Sequence, residues 1–182
     1  MINIIKLKLT VLQSEILREL FIKTGKDMNQ RRLALSINVS QPAIMKALPH
    51  LEDLNFITVS KDSETKRLSI KLNTQNQKVM QLKRADNLKL LYETGLSDFL
   101  EKSFSGATII LFGSYSRGED TVNSDIDIAI IGRKEKKLSF DEYENVFYRK
   151  INLNFYESFA KIHKNLKENL ANGIVLAGGF EF

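Results

Sequence analysis

Asp125 and Asp127 stand two residues apart in an otherwise apolar run, Asp125-Ile126-Asp127-Ile128-Ala129-Ile130-Ile131, and no other feature restricts the fold of this chain so strongly. The run is rich in β-branched residues and suits a strand, in which alternate side chains share a face. Asp125, Asp127 and Ala129 then point one way, and Ile126, Ile128 and Ile130 point the other, toward a core. Two neighbouring carboxylates on a buried strand repel each other and are costly to desolvate. A hard divalent cation relieves both costs, since Mg²⁺ takes one or two carboxylates together with phosphate oxygens and water. Upstream, Ala107-Thr108-Ile109-Ile110-Leu111-Phe112 reads as a second buried strand and runs into Gly113-Ser114-Tyr115-Ser116-Arg117-Gly118.

Those residues suit chemistry on a nucleotide phosphate. Gly113 permits close backbone approach, Ser114 offers a hydroxyl and a backbone N–H, and Arg117 neutralises phosphate charge. With a metal on the aspartates, they fit in-line attack at phosphorus. Gly113-Ser114, ten intervening residues and then Asp125-Ile126-Asp127 resembles the signature of the DNA polymerase β nucleotidyltransferase superfamily. The fuller string over residues 113–128 is similar to the minimal nucleotidyltransferases of bacteria and archaea. The resemblance implies a small domain over residues 96–182, with a mixed β-sheet flanked by helices. It implies that Asp125 and Asp127 are catalytic and bind Mg²⁺ or Mn²⁺, and that Gly113 and Ser114 hold a nucleoside triphosphate, ATP in the first instance. Arg117 lies near the phosphates, and Ser124 braces the turn before the strand. The acceptor is an unknown hydroxyl, one candidate being a protein such as a HEPN-type RNase toxin.

Members of this superfamily carry a third acidic residue on a later strand. Here that strand is Lys150–Tyr156, in which Ile151, Leu153 and Phe155 alternate with Asn152, Asn154 and Tyr156. The position expected to be acidic falls on Asn152. An asparagine adds no charge and is no general base. Asp141, Glu144 or Glu157 replaces it only if the fold brings one near. Two functions therefore stand side by side: a nucleotidyltransferase, and a DNA-binding regulator whose weakened transferase domain senses nucleotide.

The DNA-binding half of that alternative comes from the first third of the chain. Thr10 and Gln13 have capping-box spacing, ahead of a helical stripe of Leu12, Ile16, Leu20 and Phe21 that ends at Thr24-Gly25. A second helix is predicted from about Asn29 to Ile37. A third starts at the N-cap Ser40 with Pro42 in its first turn. Ala34, then Asn38 in a left-handed turn, then Ile44 plugging the core gives helix-turn-helix spacing. Pro49 is predicted to kink the third helix or end it early. Phe56–Val59 and Leu68–Leu72 read as strands, with a turn over 61–65. Residues 8–72 thus resemble a winged helix-turn-helix. That resemblance implies double-stranded DNA as partner, contacted by Gln41, Ala43 and Lys46 on the third helix and by Lys61, Lys66 and Arg67 on the wing, with Arg31 and Arg32 near phosphates. A winged helix used only for dimerisation or packing is the alternative, and a homodimer is compatible with either.

Charge follows the same division. Residues 1–72 hold 12 Lys/Arg against 7 Asp/Glu, whereas residues 73–182 hold 15 of each, so the whole net charge of +5 sits in the first third. This fits a polyanion partner there. The domains expected are a winged helix over 1–73, a helical linker over 74–95, and the transferase-like domain over 96–182, an α+β arrangement. Val79, Leu82, Leu88 and Leu91 give the linker an apolar face, broken at Thr94-Gly95. Phe159, Ile162, Leu166 and Leu170 read as one helical stripe, closed by Asn172-Gly173 and a last strand at Ile174–Leu176. The chain has no cysteine, which excludes disulfides and thiolate chemistry. His50 and His163 lack metal-ligand spacing. No apolar run is long enough to span a bilayer, so the expectation is a cytoplasmic protein without membrane contact.

Overall fold

Thr10 opens the first helix as its sequence predicts. Its hydroxyl accepts from the Gln13 backbone and the Gln13 side chain accepts from the Thr10 N–H, a complete capping box ahead of α1 (Val11–Ile22). The computed structural model describes residues 7–61 and 68–179 and divides into two compact units, Met1–Val79 and Met80–Phe182.

In the first unit α1 is followed by α2 (Gln30–Ser36), capped by Asn29, and α3 (Gln41–Asp53), capped by Ser40. Asn38 has φ 55°, the left-handed turn that lets the chain reverse between α2 and α3. Ile44 is fully buried with Ile16, Leu33 and Leu51. The strands β1 (Ile57–Lys61) and β2 (Leu68–Leu72) pair antiparallel, with Ile57 opposite Leu72. Three helices and a two-stranded ribbon make this a winged-helix-like region. Pro49 does not end α3, which continues to Asp53, so the early end among the two outcomes expected from sequence is corrected. Pro49 is exposed, while Leu48 and Leu51 on either side are buried. Tertiary packing of that apolar face outweighs the hydrogen bond that proline removes.

The second unit is a mixed sheet with helices on both faces. α4 (Gln77–Glu93), which belongs to this unit from Met80 onward, and α5 (Leu96–Ser103) are separated at Gly95, which has φ 73°. Then come β3 (Thr108–Phe112), α6 (Gly113–Arg117), β4 (Ile126–Ile131), α7 (Asp141–Phe147), β5 (Ile151–Tyr156), α8 (Lys164–Ala171) and β6 (Ile174–Ala177). The strand order is β5-β4-β3-β6. β4 pairs parallel with β5, whereas β3 pairs antiparallel with β4 and β6. One face packs Ile109, Leu111, Ile126, Ile128 and Ile130 against Leu96, Leu100, Phe104 and Phe147. The other packs Ile110, Phe112, Ala129 and Ile131 against Ile162 and Leu170. The stripe from Phe159 to Leu170 is not one helix. α8 begins only at Lys164, so Phe159 and Ile162 precede it yet share its cluster. None of the helices among the described residues is long and apolar enough to cross a membrane.

Candidate active site

The last paired residues of β3 and β4 are Phe112 and Asp127, and Asp127 is also the register partner of Asn152 on β5. Three strands thus bring Gly113, Asp127 and Asn152 to one end of the sheet. Asp125 lies just before β4 and is exposed, while Asp127 is half-buried on the face it shares with Ala129.

Gly113 begins α6 immediately after β3, with φ 76°. A Cβ there would stand 2.8 Å from Asp127 Oδ2, so only glycine lets this backbone lie against the carboxylate. The signature turn is thus a short helix, which the apolar patterning on either side did not reveal. Ser114 is half-buried, and its carbonyl accepts the Glu119 N–H at 2.9 Å. Arg117 Nε donates to Glu119 Oε2 at 2.7 Å and its Nη1 to Asn169 Oδ1 at 3.3 Å. Ser124 braces its turn: its hydroxyl accepts from the Thr121 N–H at 3.0 Å.

The electrostatics of the aspartate pair are unbalanced. Burial pushes the Asp127 carboxyl above its ordinary value and the charge of Asp125 pushes it further, while a hydrogen bond from Asn152 draws it down. Asn152 Nδ2 donates to Asp125 Oδ2 at 3.0 Å. This arrangement of oxygens beside a bare glycine backbone fits a single hard cation shared with phosphate oxygens. It does not offer three carboxylates. Among the described residues no group of three or more His, Cys, Asp or Glu is arranged to hold a metal. Glu144 is committed elsewhere: Lys150 and the Ile151 N–H hold it, and in that order they lower its carboxyl below the usual range. Glu157 pairs with Lys161, and Asp141 accepts from the Ser139 hydroxyl. A concavity of about 590 Å³ in the same unit lies at the other end of the sheet, where Thr108 pairs with Ile131, and contains none of these residues except Glu157.

Behind the signature turn lies a set of buried polar residues that sequence patterning missed. Asp120 is fully buried and accepts from Lys83 Nζ at 2.6 Å, Asn87 Nδ2 at 2.8 Å and Arg149 Nη2 at 2.6 Å. Lys83 also donates to the Asp120 carbonyl. Burial pushes the Lys83 ammonium down and Asp120 opposes that shift. The signal was present in the spacing: Val79, Lys83, Asn87 and Leu91 fall every fourth residue and are all buried, whereas the leucines at 82 and 88 are only half-buried.

In the first unit an open groove of about 850 Å³ is lined by Gln30, Arg31, Arg32, Gln41, Met45 and Lys61, among others. Lys46 is exposed on α3 and Ala43 half-buried, neither lining this groove. Lys66 and Arg67, with most of the expected turn, lie outside the described residues. Leu35 and Met45 are exposed beside the basic residues. His50 meets the Lys8 carbonyl at 3.3 Å, and His163 precedes α8 without a capping bond.

Residues 94–176 match the family model described as the nucleotidyltransferase domain. No curated protein is significantly similar to the chain. Among solved structures, a variant of MepR from a multidrug-resistant S. aureus clinical isolate is 22% identical with a TM-score of 0.38, over 52% of this chain and 62% of that one. The adhesin competence repressor AdcR of Streptococcus pyogenes is 23% identical with a TM-score of 0.40, over 54% and 69%. A ZitR variant of Lactococcus lactis is 20% identical with a TM-score of 0.42, over 55% and 65%. The chain spans less than two thirds of the MepR and ZitR variants. The winged-helix arrangement of the first unit stands on its own elements.

Proposed function

We propose that the Gly113–Asp127 site, within the residues 94–176 that match the nucleotidyltransferase domain model, binds a nucleoside triphosphate, ATP in the first instance, and transfers its nucleoside monophosphate to an acceptor hydroxyl. The observation that carries this reading is the approach of the Gly113 backbone to Asp127, with a second carboxylate two residues away. Asp125 and Asp127 would hold Mg²⁺ or Mn²⁺, which when bound withdraws charge from the phosphate oxygens. Gly113 and Ser114 hold the triphosphate, and Arg117 reaches it by exchanging Glu119 or Asn169 for phosphate. The acceptor oxygen bonds to the α-phosphorus as the bond to the β-phosphate oxygen breaks. Pyrophosphate leaves and the acceptor proton passes to solvent, because Asn152 cannot take it. The acceptor class includes proteins, an RNase toxin of the HEPN type being one.

The winged-helix-like unit supplies a second partner. Arg31, Arg32, Lys61 and Lys46 would meet the phosphates of double-stranded DNA, with Lys66 and Arg67 extending the wing. Gln41 and Ala43 would meet base edges, and Met45 the methyl of thymine. Asn152 favours a second reading: a DNA-binding regulator in which the same site senses nucleotide with little or no turnover. The Asn152 amide already hydrogen-bonds Asp125.

Incubation of the full chain with labelled ATP, Mg²⁺ and candidate proteins or RNA separates the two. Label transferred by wild type and not by Asp125→Ala/Asp127→Ala supports the transferase. Mg²⁺-dependent ATP binding without transfer, with DNA binding that responds to ATP, supports the sensor. Neither binding nor transfer removes both.

A further inference from the structure

We propose that Asp120 is a positioning residue for the nucleotide site, fixing the connection that carries Asp125 before any ligand arrives. The inference rests on the reading of Gly113–Asp127 as that site.

Asp120 lies between the signature turn and β4, two residues after Gly118 and five before Asp125. An acid in such a connection normally faces water. This one is fully buried and receives donors from two separate segments, Lys83 and Asn87 of α4 and Arg149 just ahead of β5. Paired and hydrogen-bonded on both oxygens, it resists displacement, because moving it would strand buried charges. Each partner also fixes part of the site. Asn87 Nδ2 donates to the Tyr115 carbonyl at 3.0 Å, and the Tyr115 hydroxyl donates to the Asn87 carbonyl at 3.4 Å, so α4 brackets α6 from behind. The Arg149 guanidinium lies over the Tyr115 ring, 5.7 Å from its centre. One residue further, the Lys150 carbonyl accepts the Ile126 N–H at 2.8 Å, where β5 meets β4 beside Asn152.

Two more features leave the connection little freedom. Gly118 turns with φ 76°, and a Cβ there would stand 2.7 Å from the Met80 carbonyl and 2.8 Å from the Arg84 backbone nitrogen. Beyond Asp120, the Thr121 N–H bonds the Ser124 hydroxyl and the Ser124 N–H bonds the Thr121 carbonyl, both at 3.0 Å. The chain is thus pinned at Gly118, at Asp120 and at Thr121–Ser124 before it delivers Asp125. Preorganisation of this kind matters because small displacements of phosphate- and metal-binding groups cost large factors in binding and rate.

The test compares MgATP affinity of the full chain by calorimetry in wild type, Asp120→Glu and the charge-balanced Lys83→Met/Asp120→Asn, with circular dichroism to establish folding. Asp120→Glu keeps every ionic pairing but lengthens the anchor by one methylene. Asp120→Glu is expected to fold and to bind MgATP about tenfold more weakly or worse, and the double variant, which takes the Asp120 carboxylate from Arg149, is expected to do the same where circular dichroism finds it folded. Folded variants that bind within about twofold of wild type overturn the proposal. Hydrogen exchange on wild type keeps it falsifiable even if neither variant folds. The hydrogen-bonded amides of Glu119, Thr121 and Ser124 are expected to be protected without nucleotide, and free exchange at them that slows only when MgATP is added overturns it. If wild type itself binds no MgATP, the nucleotide reading fails and this inference falls with it, whereas equal binding by wild type and variants removes this inference alone.

Discussion

Asp127 shows how a residue of the proposed site can cost stability. Burial and the neighbouring Asp125 raise its carboxyl above the ordinary value. An acid with a raised native pKa favours the fold most where it is protonated, below its unfolded value, and loses that contribution as pH rises through the native value. Asp127→Asn is therefore expected to melt higher than wild type at neutral pH, with no gain near about pH 3, where both side chains are neutral. The same variant should lose Mg²⁺-dependent nucleotide binding, and thermal melts with and without MgATP check both halves. Asn152→Asp is the converse change. Lacking metal, a third carboxylate beside Asp125 and Asp127 should lower the melting temperature, and Mg²⁺ should restore it. If transfer is limited by the missing base, labelled-ATP turnover should rise by about a hundredfold or more. Most of this site was legible in the sequence. The alternation in Asp125–Ile131 and Lys150–Tyr156 was enough to choose Asn152, and the strands place it opposite Asp127. Asp120 was not legible, because an acid in a polar connection gives no sign of being buried until its donors from α4 and Arg149 are in place.

At the scale of elements, α3 and α4 show two ways in which local preference is overridden. Pro49 costs α3 a hydrogen bond, yet Ile44, Ala47, Leu48 and Leu51 hold the helix together by burial. Pro49→Ala should raise the stability of the first unit by about 1–3 kcal/mol, less whatever the proline gains by restricting the unfolded chain. Urea denaturation read by a probe in that unit measures it, and an unchanged midpoint would show that the helix carries no strain there. In α4 Val79 and Leu91 of the expected face are buried but Leu82 and Leu88 only half-buried, and Lys83 and Asn87 take the core positions between them, which apolar periodicity does not recognise. The residues read as a linker over 74–95 are divided between the two units, those from Met80 onward belonging to the second. Short elements such as α6 and α7 also escaped, since five or seven residues hold too few turns for a periodic signal.

For the whole molecule, a winged-helix-like unit is followed by residues 94–176 that match the nucleotidyltransferase domain model, and the net positive charge lies in residues 1–72 while the charges of residues 73–182 balance. If the first unit binds double-stranded DNA, affinity should fall linearly with salt on a log–log plot. Arg31→Ala/Lys61→Ala should then weaken binding across sequences and flatten the slope by about 0.9 for each phosphate no longer neutralised. An unchanged slope would assign the basic excess to solvated surface. The proposed nucleotide site belongs to the other unit, and its most direct test is calorimetric titration of the full chain with ATP, with and without Mg²⁺. ATP should bind wild type in a Mg²⁺-dependent manner, and Asp125→Ala/Asp127→Ala should abolish the binding while keeping the fold. ATP binding of equal strength in the double variant, or no binding by wild type, would contradict the assignment of Gly113–Asp127 as the nucleotide site.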